Sequence, residues 1–212
     1  PRILICCPTN ITPVEKNAIK EAAERTGARK VYIEEEPKVA AIGAGMDISK
    51  PTANMVIDIG GGTTDIAILS LNDIVSSTSV RIAGNVFDQD IIKYIKEKYK
   101  LLIGERTAED IKIGFSNIFD PNKKEKLEVR GRNLITGLPD TIEITQDETK
   151  LALEESIQKI VKATTNVLEQ TPPELSGDIV EKGIILTGGG AMLRGLPELL
   201  EKELQVPILI AE

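Results

Sequence analysis

Three consecutive glycines between acids and hydroxyls constrain the fold of this chain more than any other feature. The run Asp58-Ile-Gly-Gly-Gly-Thr-Thr-Asp65 separates two apolar segments, Met55–Ile59 and Ile66–Leu69. Two strands joined there would form a hairpin whose glycines accept positive φ angles and let backbone N–H groups approach an anion. A plain hairpin with glycine at its turn is the alternative, but it rarely needs three glycines with these flanks. The run therefore predicts a phosphate site, with Asp58 at the strand tip able to hold the hydration shell of Mg²⁺.

A second glycine cluster, Gly188–Gly190, lies between a predicted strand ending at Leu186 and a helix opened by Pro197. A strand, a glycine turn and a helix together present free backbone N–H groups to an anion or a sugar. Glycine-rich turns of this kind are common, so this cluster alone is a weak signal. Two such turns at strand tips predict one nucleotide that is approached from two sides.

Strands and helices alternate along the chain, which indicates an α/β fold with one antiparallel meander over residues 54 to 82. Residues Ile3–Cys7 are predicted to be a buried strand, and Thr12 is predicted to cap a helix that ends near Thr26. Thr107 is predicted to cap a helix over Ala108–Ile118, and a long helix follows from Thr145 to about Gln170. After Pro172-Pro173 the next predicted element is the strand Gly183–Leu186.

Composition excludes several functions. The 212 residues include no His, which removes imidazole as a base, metal ligand or pH switch. A net charge of −7 argues against non-specific nucleic-acid binding, which depends on Lys and Arg. Cys6 and Cys7 are adjacent and are expected to be buried thiols rather than a disulfide. No apolar segment approaches the roughly 20 residues that span a bilayer, and the start at Pro1, without Met, suggests a fragment.

The motifs together resemble the actin-like ATPase superfamily over nearly the whole chain. Asp58–Asp65 is similar to its second phosphate motif, Leu186–Ala191 to its adenosine motif, and Glu36–Gly43 to its connecting segment. Glu35–Gly45, Leu102–Glu109 and Val129–Arg132, with Thr136–Pro139 and Arg194–Leu196, resemble the bacterial actins of the MreB type. The resemblance implies a ribonuclease H-like mixed sheet flanked by helices, with a small inserted α+β subdomain.

The resemblance also implies a role for each site residue, with ATP and Mg²⁺ as cofactors. Glu36 would polarise the attacking water and Thr63 would orient it, so these two are the predicted catalytic residues. Asp58 would act on Mg²⁺ through water. The residues predicted to bind the nucleotide are Asp58, Gly60, Gly61, Gly62, Thr63, Glu109, Lys112, Gly188, Gly189, Gly190 and Ala191.

Alternatives remain for some of these residues. Glu36 could favour the helix dipole at a helix start, and Glu109 with Lys112 could form a surface ion pair. Asp65 could simply cap or hydrogen-bond the hairpin, so it is not among the predicted site residues.

The same resemblance implies the domains, the partners and the location. Residues 1–45 would end the first large subdomain, 46–86 and 146–212 would build the second, and 87–145 would be the small insert. The first phosphate loop and the last helix would be missing, so weak nucleotide binding and poor hydrolysis are expected. The family forms paired filaments in the cytoplasm, on the inner face of the cytoplasmic membrane, where it organises cell shape, and slow ATP hydrolysis would regulate the state of the filament. Membrane contact would use segments mostly absent here, cell-wall or morphogenesis proteins are possible partners, and nucleic acid is not expected.

Two rival functions share the glycine motifs. A DnaK-type chaperone ATPase would carry a peptide-binding β-domain, and nothing in the sequence resembles one. A sugar kinase on the same fold would need a substrate-binding acid in the cleft. Sedimentation with ATP distinguishes a filament-forming protein from both.

Overall fold

The structure is a computed structural model that describes residues 1–9, 11–122 and 124–211. Helices and strands alternate along it, as the sequence predicts. The strands are β1 Arg2–Cys7, β2 Lys30–Glu35, β3 Asn54–Ile59, β4 Thr64–Ser70, β5 Asp73–Val80, β6 Leu101–Leu102, β7 Lys126–Asn133, β8 Pro139–Thr145, β9 Ile184–Thr187 and β10 Ile208–Ile210. The helices are α1 Pro13–Arg25, α2 Glu36–Gly43, α3 Gly84–Tyr99, α4 Glu105–Gly114, α5 Gln146–Glu169, α6 Pro173–Lys182 and α7 Leu196–Leu204, with a 3₁₀ turn at Gly189–Met192.

A mixed sheet in the order β10-β9-β3-β4-β5 forms the centre of the molecule. β10, β9 and β3 run parallel, whereas β3, β4 and β5 form the predicted antiparallel meander. β3 and β4 are buried along almost their whole length. Because successive side chains point to opposite faces of a strand, Ile57 belongs to one core and Val56 to the other.

Helices cover both faces of this sheet. On one face, α3 and α5 supply Phe87, Ile91 and Leu153 to the larger core. On the other, α2 packs Ala41 against Val56. The apolar face of α5, with Leu153, Ile157 and Ile160, lies in the larger core, as expected for an amphipathic helix that packs on the sheet.

Two smaller sheets flank the central one in the described residues. β1 and β2 pair in parallel, and β6, β7 and β8 form an antiparallel sheet. Each sheet lies within one of the predicted subdomains, and the division into subdomains itself stays a prediction.

The strand predicted to be buried at Ile3–Cys7 is largely exposed. β1 belongs to a two-stranded sheet, so its side chains have few neighbours, and Leu4 is 58% exposed. Cys7 is buried as predicted, but Cys6 is exposed because it points to the opposite face. Both thiols are free, as expected.

The prediction of a helix over Ala108–Ile118 is wrong at both ends. α4 begins at Glu105 after an extended Gly104, so Thr107 lies within its first turn and caps nothing. The helix ends at Gly114, where the N–H of Ser116 turns back to the carbonyl of Ile111 at 2.9 Å.

Helix α6 is absent from the sequence prediction. It starts at Pro173 directly after Pro172, where the sequence predicts only the end of the preceding helix. A proline at the first helical position is also a start signal. Asp178 of α6 accepts the N–H of Ala53 at 2.8 Å, which attaches the helix to the beginning of β3.

Candidate nucleotide-binding site

The three glycines form the tip of the β3–β4 hairpin. The N–H of Gly60 donates to the carbonyl of Thr63 at 3.0 Å and closes the turn. Gly61 and Gly62 are exposed, so their backbone is accessible to a ligand. Asp58 faces Asp65 across the strand pair, at the same end of the sheet.

The second glycine turn packs directly on this tip. β9 runs parallel to β3, with Thr187 beside Asp58. A Cβ on Gly188 would lie 2.3 Å from the carbonyl oxygen of Ile59 and 2.5 Å from Oδ1 of Asp58. A Cβ on Gly190 would lie 2.4 Å from Cγ2 of Ile59. The two glycine turns, more than a hundred residues apart in the chain, therefore meet at one edge of the sheet.

The start of α3 adds a third element to this edge. Its first two backbone N–H groups, from Gly84 and Asn85, donate to the carbonyls of Gly60 at 3.1 Å and Gly61 at 2.9 Å. These bonds attach the helix to the glycine hairpin.

Lys112 of α4 lies at the same place. Its ammonium donates to the carbonyl of Gly84 at 3.0 Å and pairs with Asp88 at 2.8 Å. The ammonium is therefore engaged by α3, which does not match the surface ion pair with Glu109 that the sequence left open. Lys112, Gly189 and Gly190 line a common cavity of about 50 Å³.

Glu109 lines a separate and wider cleft, which shares Asp88 with the Lys112 ion pair. Glu109 is exposed, and this polar cleft of about 540 Å³ lies between α3 and α4, with Asp88 on the opposite wall. Ala191 is buried behind the second glycine turn and is not accessible from the cleft. Of the residues predicted to bind nucleotide, Ala191 is therefore the one whose side chain packs into the core.

Three carboxylates lie beside the hairpin, and the pKa values of two of them are raised. Glu36 begins α2, and burial together with the charges of Asp65 and Asp58 raises its pKa. Burial and the charge of Asp65 also raise the pKa of Asp58. Asp65 is 1% exposed, and its Oδ1 has no hydrogen-bond partner among the described residues. This end of the sheet has an excess of negative charge, which a cation would offset.

The carboxylates fit Mg²⁺ held through water better than a direct metal cage. In the part of the chain that the structure describes, no three acidic, Cys or His side chains are arranged to hold an ion together. Mg²⁺ keeps several of its waters and commonly binds through one or two carboxylates and substrate phosphates. The buried, unpartnered oxygen of Asp65 and the raised pKa of Asp58 agree with that mode.

Sequence reasoning missed three residues that the structure brings to this site. Asp65 is not among the predicted site residues, although its position as the second acid of the glycine motif is a usable signal. Asn85 and Asp88 carry no comparable signal, because a polar residue in the first turns of a helix is usually solvated. Their proximity to the hairpin depends on how α3 packs.

Comparisons with known proteins identify the family of this chain. The model of the MreB/Mbl protein family matches residues 1–212. The cell shape-determining protein Mbl of Bacillus cereus is 62% identical over the whole chain and 64% of its own length. MreB of Escherichia coli K12 is 49% identical over the whole chain and 61% of its own length. The chain thus spans less than two thirds of these curated relatives.

Solved structures give the same fold. MreB5 of Spiroplasma citri bound to AMPPNP superimposes with a TM-score of 0.94 at 43% identity, over 98% of this chain and 62% of that one. The MamK double helical filament has a TM-score of 0.82 at 22% identity over 100% of this chain and 64% of that one, which bears on the fold alone.

The fold and the paired glycine turns define an actin-like protein, and the predicted fold class is confirmed. Within that class, the chain belongs to the MreB/Mbl family. Of the described helices, none is both long and apolar enough to cross a bilayer.

Proposed function

We propose that this chain forms the larger part of a filament-forming, ATP-dependent cytoskeletal protein that determines cell shape. The observation that carries the proposal is the meeting of Gly188 with the Asp58–Ile59 strand tip, which places two glycine turns and the carboxylates at one edge. Family membership supports the cytoskeletal role and leaves the chaperone and sugar-kinase alternatives without support. MreB5, a relative of this chain, has been solved with both AMPPNP and ADP.

In this proposal the glycine hairpin binds the β- and γ-phosphates. The backbone N–H groups of Gly61, Gly62 and Thr63 are the donors, and no β-carbon hinders the approach at the two glycines. Asp58 would hold a Mg²⁺ ion through its water ligands, and that ion would supply positive charge to the phosphates. Gly188, Gly189 and Gly190 line the ribose and α-phosphate. Lys112 and Glu109 border the adenosine.

Hydrolysis requires a water in line with the γ-phosphate and a group that accepts its proton. Glu36 is half-buried at the start of α2, and its raised pKa, caused by burial and by the charges of Asp65 and Asp58, makes it a stronger proton acceptor than an ordinary carboxylate. Thr63, at the end of the hairpin, orients that water. Slow turnover suits a reaction that times filament disassembly.

The remaining parts of the proposal concern assembly and location. The protein forms paired filaments by self-association in the cytoplasm and lies at the inner face of the membrane. Cell-wall or morphogenesis proteins are its candidate partners. The 212-residue chain alone is expected to bind nucleotide weakly, because one half of the clamp would lie in the remaining third of the relatives' length.

The test is the Glu36→Gln variant of the full-length gene product, with Glu34→Gln as its control. Glu34 is an exposed acid two residues away, on β2, so the control removes the same charge from outside the site. We expect Glu36→Gln to reduce phosphate release from ATP by about 100-fold or more, since a general base contributes on that scale. Sedimentation of filaments with ATP should persist, because binding precedes hydrolysis.

Three results decide the proposal. Wild-type protein that neither sediments with ATP nor releases phosphate contradicts the whole function. Unchanged hydrolysis in Glu36→Gln contradicts the role of Glu36 alone. An equal loss in Glu34→Gln would mean that general surface charge, not the site, controls the rate.

A further inference from the structure

A nearly buried ion pair joins α3 to α4 behind the glycine hairpin. The Nζ of Lys112 lies 2.8 Å from Oδ1 and 2.9 Å from Oδ2 of Asp88, and both side chains are only 13% exposed. The same ammonium donates to the carbonyl of Gly84 at 3.0 Å. An ammonium has three donor hydrogens and no acceptor, so these contacts use most of its capacity. Asp88 therefore determines where the ammonium lies.

Lys112 donates to the carbonyl of Gly84, and Gly84 is in turn hydrogen-bonded to the glycine hairpin. The N–H of Gly84 donates to the carbonyl of Gly60, and the N–H of Asn85 donates to that of Gly61. A Cβ on Gly84 would lie 3.4 Å from the Gly60 oxygen and 3.6 Å from the Lys112 nitrogen. The ammonium, the first turn of α3 and the phosphate hairpin are thus in continuous contact.

On its other side, Lys112 reaches the second glycine turn. It lines a cavity of about 50 Å³ together with Gly189, Gly190 and Phe87. One cation therefore lies where the elements proposed to bind the phosphates and the adenosine come together. A shift of the ammonium would therefore affect both the phosphate and the adenosine elements.

We propose that Asp88 is a positioning residue for the phosphate hairpin. It holds Lys112 against the Gly84 carbonyl, and so holds the amides of Gly84 and Asn85 against Gly60 and Gly61. This inference rests on the proposed function of the site and names what keeps its phosphate-binding backbone in place. Asp88 acts on the hairpin through Lys112.

The inference predicts a selective loss of phosphate affinity. In the Asp88→Asn variant of the full-length gene product, the ammonium loses its charged partner and the hairpin loses its support. Affinity for MgADP should fall by about tenfold or more, as for other buried charge pairs that lose one partner. Affinity for adenosine, which has no phosphate, should fall clearly less than affinity for MgADP.

The control is Asp90→Asn, on the same helix two residues further on. Asp90 accepts a hydrogen bond from Ser156 of α5, away from the hairpin. It should leave the ratio of MgADP to adenosine affinity unchanged. Both affinities are measured by equilibrium titration, and folding of each variant is checked by thermal unfolding.

A merely structural role for Asp88 would reduce both affinities equally, and that result would overturn the inference. If Asp88→Asn does not fold, Lys112→Met takes its place. Its loss of MgADP affinity should exceed its loss of adenosine affinity, and equal losses would mean that Lys112 acts at the adenosine only. Wild-type protein that binds neither ligand would overturn the proposed function and this inference together, whereas wild-type binding with no selective loss would overturn this inference alone.

Discussion

Replacement of Gly188 by alanine tests whether direct contact between the two glycine turns stabilises this edge of the sheet. Gly188 has φ +86° and ψ 163°, a region that is essentially restricted to glycine. Its added Cβ would lie 2.3 Å from the Ile59 carbonyl oxygen and 2.7 Å from the Ile59 carbonyl carbon. Both atoms belong to the backbone of the central strand β3, so they cannot turn away as a side chain could.

Two costs follow for Gly188→Ala. Backbone strain in this region costs about 1–3 kcal/mol, and forcing a methyl group into a packed site costs about 1–3 kcal/mol more. The free energy of unfolding should therefore fall by roughly 2–6 kcal/mol, with a lower midpoint in urea. Affinity for MgADP should fall as well, because the second turn must move away from Asp58.

The matched control is Gly189→Ala. A Cβ there would meet nothing within 4 Å, and no positive φ is required. Its unfolding free energy should stay within about 0.5 kcal/mol of wild type. If Gly188→Ala unfolds at the same urea concentration as Gly189→Ala, the packing of the two turns against each other is not what stabilises this edge.

Two further predictions concern a carboxylate of the site and the helix that the sequence did not reveal. The pKa of Asp58 is raised in the folded state, so its favourable contribution is complete below its unfolded value of about 3.9 and is lost as pH rises through the raised value. Without Mg²⁺ or nucleotide at pH 7, Asp58→Asn should therefore melt at a higher temperature than wild type. That difference should vanish at acid pH. The pKa of the Asp47 carboxyl is lowered instead, so Asp47→Asn should bring no gain in melting temperature. Asp178→Ala leaves the buried N–H of Ala53 without its partner and should cost about 1–3 kcal/mol in urea unfolding, whereas the exposed Glu181→Ala on the same helix should cost under about 0.5 kcal/mol. A fall in melting temperature for Asp58→Asn, or equal effects of the two α6 variants, would contradict the respective argument.

Local patterns in the sequence predicted most elements and their chemistry. The capping box of Thr12 with Glu15 forms as expected, and the strands on either side of the glycine run pair as a hairpin. Such signals depend on neighbours a few residues away, so they can be interpreted without a tertiary structure. The sequence predicts the ends of α4 wrongly and does not predict α6, because the residues around Thr107 and Pro173 are compatible with more than one local structure.

The chain itself determined which residue types could bind a phosphate and where strands would present them. Only the packed structure decided which of them meet. The contact of Gly188 with Ile59, the burial of Asp65 and the pairing of Lys112 with Asp88 all depend on strand order and helix packing. The two contacts join residues 24 and more than 100 positions apart, on different elements, and no short-range propensity reports which partner a buried group will find.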